Sequence, residues 1–320
     1  MKLLRLLLPL LLCISSCRKD RLHWQLAEQI STGTTENLNT GIVLQNGTCI
    51  IGGGSRFGTA IALRSADAGK SWTLQQLPDD SKGFFGAAES RDGKLFCCGY
   101  GLNVYKSSNG FATWSNGRVA GPYSFSEAIS FPGINSGFIT VSTTTDTGGI
   151  AQCDSNFRLI RYTNLTRAMH DVLMFDEKSG IAVGSGIGVR TDDSGENWLT
   201  LPLTGDNFTS IAAVDRNLLY TCGLSGYIYK SADGGQTWKR LRNGGDITYP
   251  QYRLWDICFA NAQEGYAVGE KGLVIYTSDG GSHWSELDRF TDQHLRFILH
   301  CPWGEWLAGG EQGTLFRLRH

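Results

Sequence analysis

The hydrophobic positions of this chain fall into short runs that are separated by glycine-rich turns. The run at 265–269 (Gly-Tyr-Ala-Val-Gly) is followed by Val-Ile-Tyr at 274–276, and the run at 180–184 (Gly-Ile-Ala-Val-Gly) is followed by Val189. Short runs of this kind, rich in β-branched and aromatic residues and bounded by glycine, are typical of β-strands joined by tight turns. Each repeating unit carries four such runs, so the pattern predicts an all-β protein.

A second motif, Ser/Thr-x-Asp-x-Gly-x-Thr-Trp with variations, follows the paired runs. Clear copies occupy 65–72, 191–198, 231–238 and 277–284, and weaker copies occupy 107–114 and 152–159. The acidic or amide residue and the closing residue of each copy are Asp67 and Trp72, Asn109 and Trp114, Asp154 and Leu159, Asp193 and Trp198, Asp233 and Trp238, and Asp279 and Trp284. This motif is the Asp-box.

The residues of the box have structural roles in a hairpin between two strands. An Asp side chain can accept backbone N–H groups and cap the turn. Glycine supplies a positive φ, and Asn156 takes the glycine position in the weakest copy. The Trp is expected to bury a large apolar face between neighbouring sheets. We therefore assign the box residues to the fold and none of them to catalysis.

The spacing of the boxes gives the number of repeats. Their closing residues, at 72, 114, 159, 198, 238 and 284, lie 39 to 46 residues apart, which is the length of one four-stranded propeller blade. Trp24 lies one repeat earlier without preceding strands, whereas the runs at 304–309 and 315–317 have no box after them. We predict a single seven-bladed β-propeller of four-stranded antiparallel blades over residues 23–320. An N-terminal strand near residues 23–26 would complete the last blade and remove its free edge.

The N-terminus has the pattern of an export signal. Lys2 and Arg5 precede an apolar run from Leu6 to Ile14, which is shorter than the roughly 20 residues that span a bilayer. The sequence Ile-Ser-Ser-Cys at 14–17 resembles the bacterial lipobox, and this resemblance implies lipidation of Cys17. We expect a lipoprotein signal at 1–16, a tether at 17–22 and a lipid anchor that holds the protein to a bacterial membrane, facing the periplasm or the cell surface. An ordinary signal peptide is the alternative.

Composition narrows the possible ligands. The formal charge is −1 and falls to −3 once Lys2 and Arg5 leave with the signal, so no basic excess favours nucleic acid. Seven cysteines remain apart from Cys13 and Cys17, and they lie in apolar strand patterns without CxxC spacing. We interpret them as small buried hydrophobic residues and expect neither a metal nor a cofactor.

One repeat carries a resemblance to a known family. Its inner strand at 254–259 (Leu-Trp-Asp-Ile-Cys-Phe), its Gly-Tyr-Ala-Val-Gly strand and its box ending at Trp284 resemble the repeat of the photosystem II stability and assembly factor family, and residues 170–198 match it less closely. The resemblance in repeat architecture extends over essentially the whole mature chain. It implies a non-catalytic factor that binds membrane-protein subunits during their assembly. What it implies here is a membrane-tethered binding platform with a protein partner in the cell envelope.

Sialidases and related glycosidases also carry Asp-boxes and supply the alternative, a carbohydrate-active or glycan-binding propeller. They need an arginine cluster that includes an N-terminal Arg-Ile-Pro-like motif, and residues 18–60 contain no such motif. Their Tyr–Glu nucleophile pair cannot be placed in this sequence either. A surface lipoprotein without a specific ligand is a third hypothesis.

Propeller ligands usually lie near the central axis, where the inner strands converge. Alignment of the blades from the glycine of the Ala-Val-Gly strand gives one ring position with Asn39, Gly86, Ala128, Asp171, Ser210, Asp256 and Arg296, and a preceding one with Leu38, Phe85, Glu127, His170, Thr209, Trp255 and Leu295. From these we predict an axial binding site formed by Asp171, Asp256, Arg296, His170, Trp255 and Glu127, with Asp256 and Arg296 side by side. Arginine suits carboxylate groups, so the pocket could bind a peptide, a sugar or an acidic group. Alternatively, these residues pair with each other and with the backbone around a solvent-filled channel. We expect no catalytic residue and a monomeric protein.

Overall fold

The computed structural model describes residues 26–78, 81–122, 124–244 and 251–319, and in them the chain forms seven four-stranded antiparallel sheets. The predicted seven-bladed β-propeller is therefore confirmed. The predicted signal at 1–16, the tether at 17–22 and Cys17 lie outside the described residues. Within the described residues, no helix is long and apolar enough to cross a bilayer.

The sheets are built from short strands. In chain order these are β1 (Leu26–Gln29), β2 (Leu38–Val43), β3 (Cys49–Gly54), β4 (Ala60–Ser65), β5 (Thr73–Gln76), β6 (Phe84–Glu89), β7 (Leu95–Gly99), β8 (Asn103–Ser107), β9 (Ser115–Arg118), β10 (Ile129–Ser130), β11 (Gly137–Ser142), β12 (Gly148–Cys153), β13 (Leu159–Asn164), β14 (Met169–Met174), β15 (Gly180–Gly184), β16 (Ile187–Thr191), β17 (Leu199–Thr200), β18 (Phe208–Ala213), β19 (Leu219–Gly223), β20 (Ile228–Ser231), β21 (Lys239–Arg242), β22 (Leu254–Phe259), β23 (Gly265–Gly269), β24 (Val274–Thr277), β25 (Ser285–Glu286), β26 (Leu295–His300), β27 (Trp306–Gly310) and β28 (Leu315–Arg319). Single 3-10 turns at Tyr100–Leu102, Glu270–Gly272 and Glu311–Gly313 lead into β8, β24 and β28.

The ring is closed by strands from the two ends of the chain. Blades 1 to 6 each use four consecutive strands, starting at β2, whereas blade 7 consists of β26, β27, β28 and the N-terminal strand β1. The register of β1 against β28 runs from Leu26 opposite Arg319 to Gln29 opposite Phe316. The predicted closing strand is thus confirmed, although residues 23–25 of the predicted segment lie outside the described residues.

The hydrophobic core is divided among the contacts between neighbouring blades. Seven buried clusters are found in the described residues, and each combines side chains from two adjacent blades. Because the middle strands pack against a neighbour on both faces, every residue of the second strand of every blade is buried. This explains the continuous apolar runs in the sequence. The seven remaining cysteines belong to this core as free thiols, and only Cys258 among them is half-buried.

The Asp-boxes form the turns between the third and fourth strands, with the capping roles expected of them. In all six copies, the Oδ1 atom of the Asp or Asn accepts the backbone N–H of the residue four positions further on, at 2.9 Å. The glycine of the clean copies has a positive φ, for example 89° at Gly235 and 85° at Gly281. The five Trp side chains that close boxes are half-buried, and each packs on the hydrophobic cluster that its blade shares with the preceding one.

The box of blade 3 differs from the prediction in two respects. Asn156 does not adopt a positive φ; Phe157 does, at 67°. Leu159 does not replace the missing Trp, because it is 36% exposed, and Phe157 packs instead into the cluster between blades 2 and 3. The reason is a different turn conformation: the box of blade 4 has positive φ at Ser194 and Gly195, the first and second residues after its Asp, whereas blade 3 has it at the third, Phe157.

Basic side chains connect four of the six boxes to the blade before them. Lys106 donates to the Ser155 carbonyl at 2.8 Å, and Lys230 donates to the Gly280 carbonyl at 3.0 Å. Arg190 and Arg317 make the equivalent bonds from blades 4 and 7. Since these residues lie on third strands, the bonds run from blade to blade around the end of the ring that carries the boxes.

The assignment of Phe157 predicts a difference between two neighbouring substitutions. Phe157→Ala should lower the free energy of unfolding by about 2 kcal/mol, because it empties part of the contact between blades 2 and 3. Leu159→Ala should change it by less than about 0.5 kcal/mol, because its side chain is largely in solvent. Urea denaturation of both variants measures this difference, and equal effects would contradict the assignment.

Candidate functional site

The end of the ring opposite the boxes contains a cavity of about 760 Å³ on the axis. It lies where the inner strands begin. Loops between second and third strands also reach it, as Ser55 and Arg56 between β3 and β4 show. All six predicted axial residues line it: Glu127, His170, Asp171, Trp255, Asp256 and Arg296. The structure thus brings together residues from blades 3, 4, 6 and 7.

Irregularities in the inner strands shape the cavity wall. In six blades the register between the first and second strands shifts by one residue near the start of the inner strand. The extra residues are Asn39, Phe85, His170, Thr209, Trp255 and Arg296. A bulge of this kind redirects a side chain that regular pairing would place elsewhere, and all six residues line the cavity.

The predicted ring register is wrong in blades 1 and 7. Asn39 and Arg296 are equivalent to His170 and Trp255, not to Asp171 and Asp256. Both blades have consecutive glycines at the relevant point of the second strand, at 52–54 in blade 1 and at 309–310 in blade 7. The strand pairing shows that the second glycine of each run, at position 53 or 310, is the equivalent one.

The two buried aspartates connect neighbouring blades through backbone amides. Asp171 of blade 4 accepts the N–H of Ile211 in blade 5 at 2.8 Å, and Asp256 of blade 6 accepts the N–H of Ile298 in blade 7 at 2.8 Å. Each also accepts the N–H of its own following residue, and Ser210 donates to Asp256 at 2.7 Å. Their carboxylates therefore hold the axial ends of blades 4 to 7 together.

Burial changes how these aspartates titrate. It raises the pKa of Asp171 to about 6 and that of Asp256 to about 7, although the backbone donors act in the opposite direction. The negative charge of Asp171 also raises the pKa of Asp256. Asp256 and Arg296, predicted to lie side by side, share no hydrogen bond or ion pair among the described contacts: Arg296 donates to Glu311 at 2.7 Å, and its Nε atom is buried without a hydrogen-bond partner.

A chain of hydrogen bonds connects blade 3 to blade 4 at the cavity wall. Nδ1 of His170 lies 2.7 Å from Glu127 and Nε2 lies 3.1 Å from the Ser185 hydroxyl, which donates to Asp146 at 2.5 Å. Arg56 pairs with the other Glu127 oxygen at 3.3 Å. Burial alone would lower the pKa of His170, but the hydrogen bond and charge of Glu127 outweigh it and raise that pKa. The same contacts lower the pKa of Glu127 against the effect of burial.

This chain has the order carboxylate, imidazole, hydroxyl that also occurs in serine hydrolases. Two observations argue against a nucleophilic role for Ser185. Its side chain is 3% exposed, and its only proton points to Asp146, not to the imidazole. The arrangement instead provides an acceptor for each ring nitrogen of His170, Glu127 for Nδ1 and the Ser185 hydroxyl for Nε2, as an imidazolium requires.

Four residues of these networks were not found from the sequence. Arg56 and Ser185 lie in loops after second strands, Asp146 lies in a hairpin of blade 3, and Glu311 begins a 3-10 turn. Only Glu311 belongs to a repeated segment, since Gly-Glu-x-Gly occurs at both 269–272 and 310–313. Arg56 meets Glu127 because the ring brings a loop of blade 1 near the segment that enters blade 3. No group of His, Cys, Asp and Glu suited to a metal ion is found within the described ranges.

Comparisons with known proteins support the fold and the resemblance. The chain is 32% identical over 120 residues to the photosystem II assembly lipoprotein Ycf48 of Synechococcus sp. (strain CC9902), covering 36% of this chain and 35% of that protein. It is 30% identical over 104 residues to the photosystem II assembly protein Ycf48 of Thermosynechococcus vestitus, covering 31% and 29%. This chain is similar to the photosystem II assembly factors. The match spans about a third of the length of these curated relatives.

Solved structures agree on the architecture. YCF48 bound to a D1 peptide superposes with a TM-score of 0.73 at 15% identity, covering 96% of this chain and all of that one. The WD40 propeller of Doa1 superposes with a TM-score of 0.71 at 13% identity, covering 93% and 97%. At these identities the likeness shows the propeller fold alone. No protein-family model matches the chain.

The titration of the axial groups predicts an unusual dependence of stability on pH. Asp171, Asp256 and His170 all have raised pKa values in the folded chain, so the folded state holds their protons more tightly than the unfolded one. Their contribution to the free energy of unfolding is complete at a pH below the pKa that each group has in the unfolded chain. It is lost as the pH rises through the pKa that the group has in the folded chain. Asp67 and Asp233 act oppositely, because hydrogen bonds from Ser71 and Thr237 lower their pKa to about 2.

We therefore expect the melting temperature to peak near about pH 4–5 and to fall towards pH 8. Calorimetry from pH 2 to 9 measures this profile. The Asp171→Asn, Asp256→Asn double variant is the control, and it should flatten the decline above the peak. A melting temperature that rises steadily from pH 4 to 8 in the unsubstituted protein would contradict the assignment.

Proposed function

We propose that this protein is an exported, lipid-anchored, non-catalytic propeller that binds a segment of an envelope membrane protein in its axial cavity. The observation that carries the proposal is the cavity itself, into which bulged inner strands direct charged and aromatic side chains from most of the ring. Concave sites with a few convergent polar groups among apolar ones are the usual form of a binding site. The similarity to the Ycf48 assembly proteins adds to this support.

The composition of the wall suits a polypeptide. Arg56 and Arg296 can donate hydrogen bonds to carboxylates or backbone carbonyls, and Trp255 and Phe85 offer aromatic faces. Both arginines already have a carboxylate partner, Glu127 or Glu311. A ligand must compete with these partners, which favours reversible binding, as an assembly factor that releases its client requires.

The roles of the acidic residues support a non-catalytic function. Asp171 and Asp256 each accept two backbone amides, so their oxygens are occupied in holding the blades. Glu127 is engaged by His170 and Arg56. Proton exchange with a bound substrate would require these contacts to break.

Export and anchoring rest on the N-terminal sequence. The Ile-Ser-Ser-Cys segment at 14–17 follows a basic start and a short apolar run. One of the similar proteins is named a lipoprotein. A lipid on Cys17 would place the propeller at a membrane surface, where segments of membrane proteins are within reach.

A glycan is the alternative ligand. The indole of Trp255 lines a polar cavity whose wall also includes Phe85, and an aromatic face beside hydrogen-bonding groups can also receive a sugar ring. On this alternative the cavity would be used in the same way, but the retained ligand would be carbohydrate.

The test is in-cell crosslinking followed by purification of the anchored protein and mass spectrometry. The Arg56→Gln, Arg296→Gln variant removes both cavity cations, and we expect it to reduce recovery of a specific membrane-protein partner about tenfold. The matched control is Arg91→Gln, Arg216→Gln, since those arginines are also ion-paired but are 64% and 61% exposed outside the cavity. The control should recover the partner normally.

Other outcomes of this experiment decide the remaining points. A partner recovered equally with the cavity variant would refute the cavity as the binding site. Bound glycan without a protein partner would favour the carbohydrate alternative. The Cys17→Ala chain should leave the membrane fraction, and its retention there would refute the lipid anchor.

A further inference from the structure

An aromatic ridge runs from the rim of the ring to the axial cavity, and it consists of Phe57, Tyr100 and Phe125. The Phe57 and Tyr100 rings meet edge to face with centroids 5.0 Å apart, and the Tyr100 and Phe125 rings are 5.4 Å apart. They come from blade 1, blade 2 and the segment entering blade 3. No single blade could form this surface.

The ridge is continuous with the cavity. The Arg56 guanidinium lies 4.2 Å from the centroid of Phe125 and 5.9 Å from that of Phe85. A cleft lined by Phe85, Tyr100, Phe125 and Arg56 shares Arg56, Phe85 and Glu127 with the cavity wall. A chain segment that enters the cavity from this side must pass over the ridge.

The outer end of the ridge is exposed. Phe57 is 69% exposed, the highest value among the large hydrophobic side chains of the described residues. Single exposed hydrophobic residues are common on protein surfaces. Phe57 differs because it extends a contiguous aromatic surface that leads into a binding cavity, and such surfaces mark interaction sites.

The charges beside the ridge restrict the occupant. Arg56 precedes Phe57 in the chain and lines the cavity at the inner end of the ridge. The Lys82 ammonium lies 3.3 Å from the Phe57 carbonyl oxygen. Glu127 is the acidic residue that lines the adjoining cleft, and it is paired with Arg56 and His170. The exposed Phe57 ring is therefore flanked by cations, which complement an acidic ligand.

We propose that the ridge binds an extended protein segment through a large aromatic or aliphatic side chain that stands next to an acidic residue. The apolar side chain packs against Phe57 and Tyr100, its acidic neighbour faces Lys82 and Arg56, and the segment continues into the axial cavity. This inference rests on the proposed function, because it names the kind of partner segment that the cavity receives.

The experiment begins with selection of phage-displayed random heptapeptides on the purified mature chain. We expect enrichment of sequences with an aromatic or large aliphatic residue beside Asp or Glu. The strongest selected peptide is then synthesised and titrated by fluorescence polarisation. Phe57→Ala should weaken its binding about tenfold, whereas Phe57→Trp should retain it.

A matched control separates the ridge from general surface hydrophobicity. Leu199 is 68% exposed on β17 of blade 4, away from the ridge, and Leu199→Ala should bind the selected peptide normally. Both alanine variants should keep the melting temperature of the unsubstituted protein. A lowered melting temperature for Phe57→Ala would call for the same titration with Phe57→Ser and Lys82→Glu, and the latter should also weaken binding.

Three results would overturn the proposal: no enriched sequence, enrichment without large apolar residues, or binding that is indifferent to Phe57→Ala. The cavity is tested separately by the partner pull-down. If Phe57→Ala retains the partner and Arg56→Gln, Arg296→Gln loses it, the ridge fails and the proposed function stands. The opposite pattern would refute the cavity, and with it the role of Arg56 and the continuation of the segment into the cavity, and would leave only the contact with Phe57 as the docking surface.

Discussion

The burial of apolar surface between adjacent blades is the interaction on which this structure depends. The second strand of every blade is buried along its whole length, and that burial exists only when both neighbours are present. An isolated four-stranded sheet would expose two apolar faces. The ring must therefore close, and β1 supplies the outer strand that blade 7 lacks.

Polar contacts at the two ends of the ring add to this apolar packing between adjacent blades. At one end, the boxes cap their own turns and receive cations from the preceding blade, as Lys230 shows with Gly280. At the axial end, Asp171 and Asp256 bind amides of the next blade. Some of the bulged residues on the cavity wall add to these contacts, since Asn39 donates to the Phe84 carbonyl and Thr209 donates to the Leu254 carbonyl of the next blade.

The fold could be predicted in detail because the sequence pattern that specifies it repeats at a regular interval. Boxes 39 to 46 residues apart give the number of blades directly, and the unpaired fragments at the two ends indicate how the ring closes. The errors arose where the repeat is irregular. Runs of consecutive glycines led to an alignment of Asn39 and Arg296 that is wrong by one position. In blade 3, a different turn conformation gives Phe157 the positive φ expected of Asn156 and the packing role expected of Leu159.

The candidate site could be predicted only in part. Inner-strand residues share a place in the repeat, so alignment brought Glu127, His170, Asp171, Trp255, Asp256 and Arg296 to one cavity. Their partners come from loops that differ in sequence from blade to blade, apart from the Gly-Glu-x-Gly turn shared by blades 6 and 7 at 269–272 and 310–313. Arg56 is 71 residues from Glu127, and only the curvature of the ring makes them neighbours. The pairing of Arg296 with Glu311 depends in the same way on the shape of one loop.

The central claim is that ligands approach the axial end that carries the cavity. Hydrogen–deuterium exchange measures this most directly, by comparing the protein alone with the protein purified in complex with its crosslinked partner. Our account predicts slower exchange in the complex at the starts of the inner strands and in the segment 54–59, with no change in the box turns at the other end. Protection confined to the box turns or to the outer strands would contradict it.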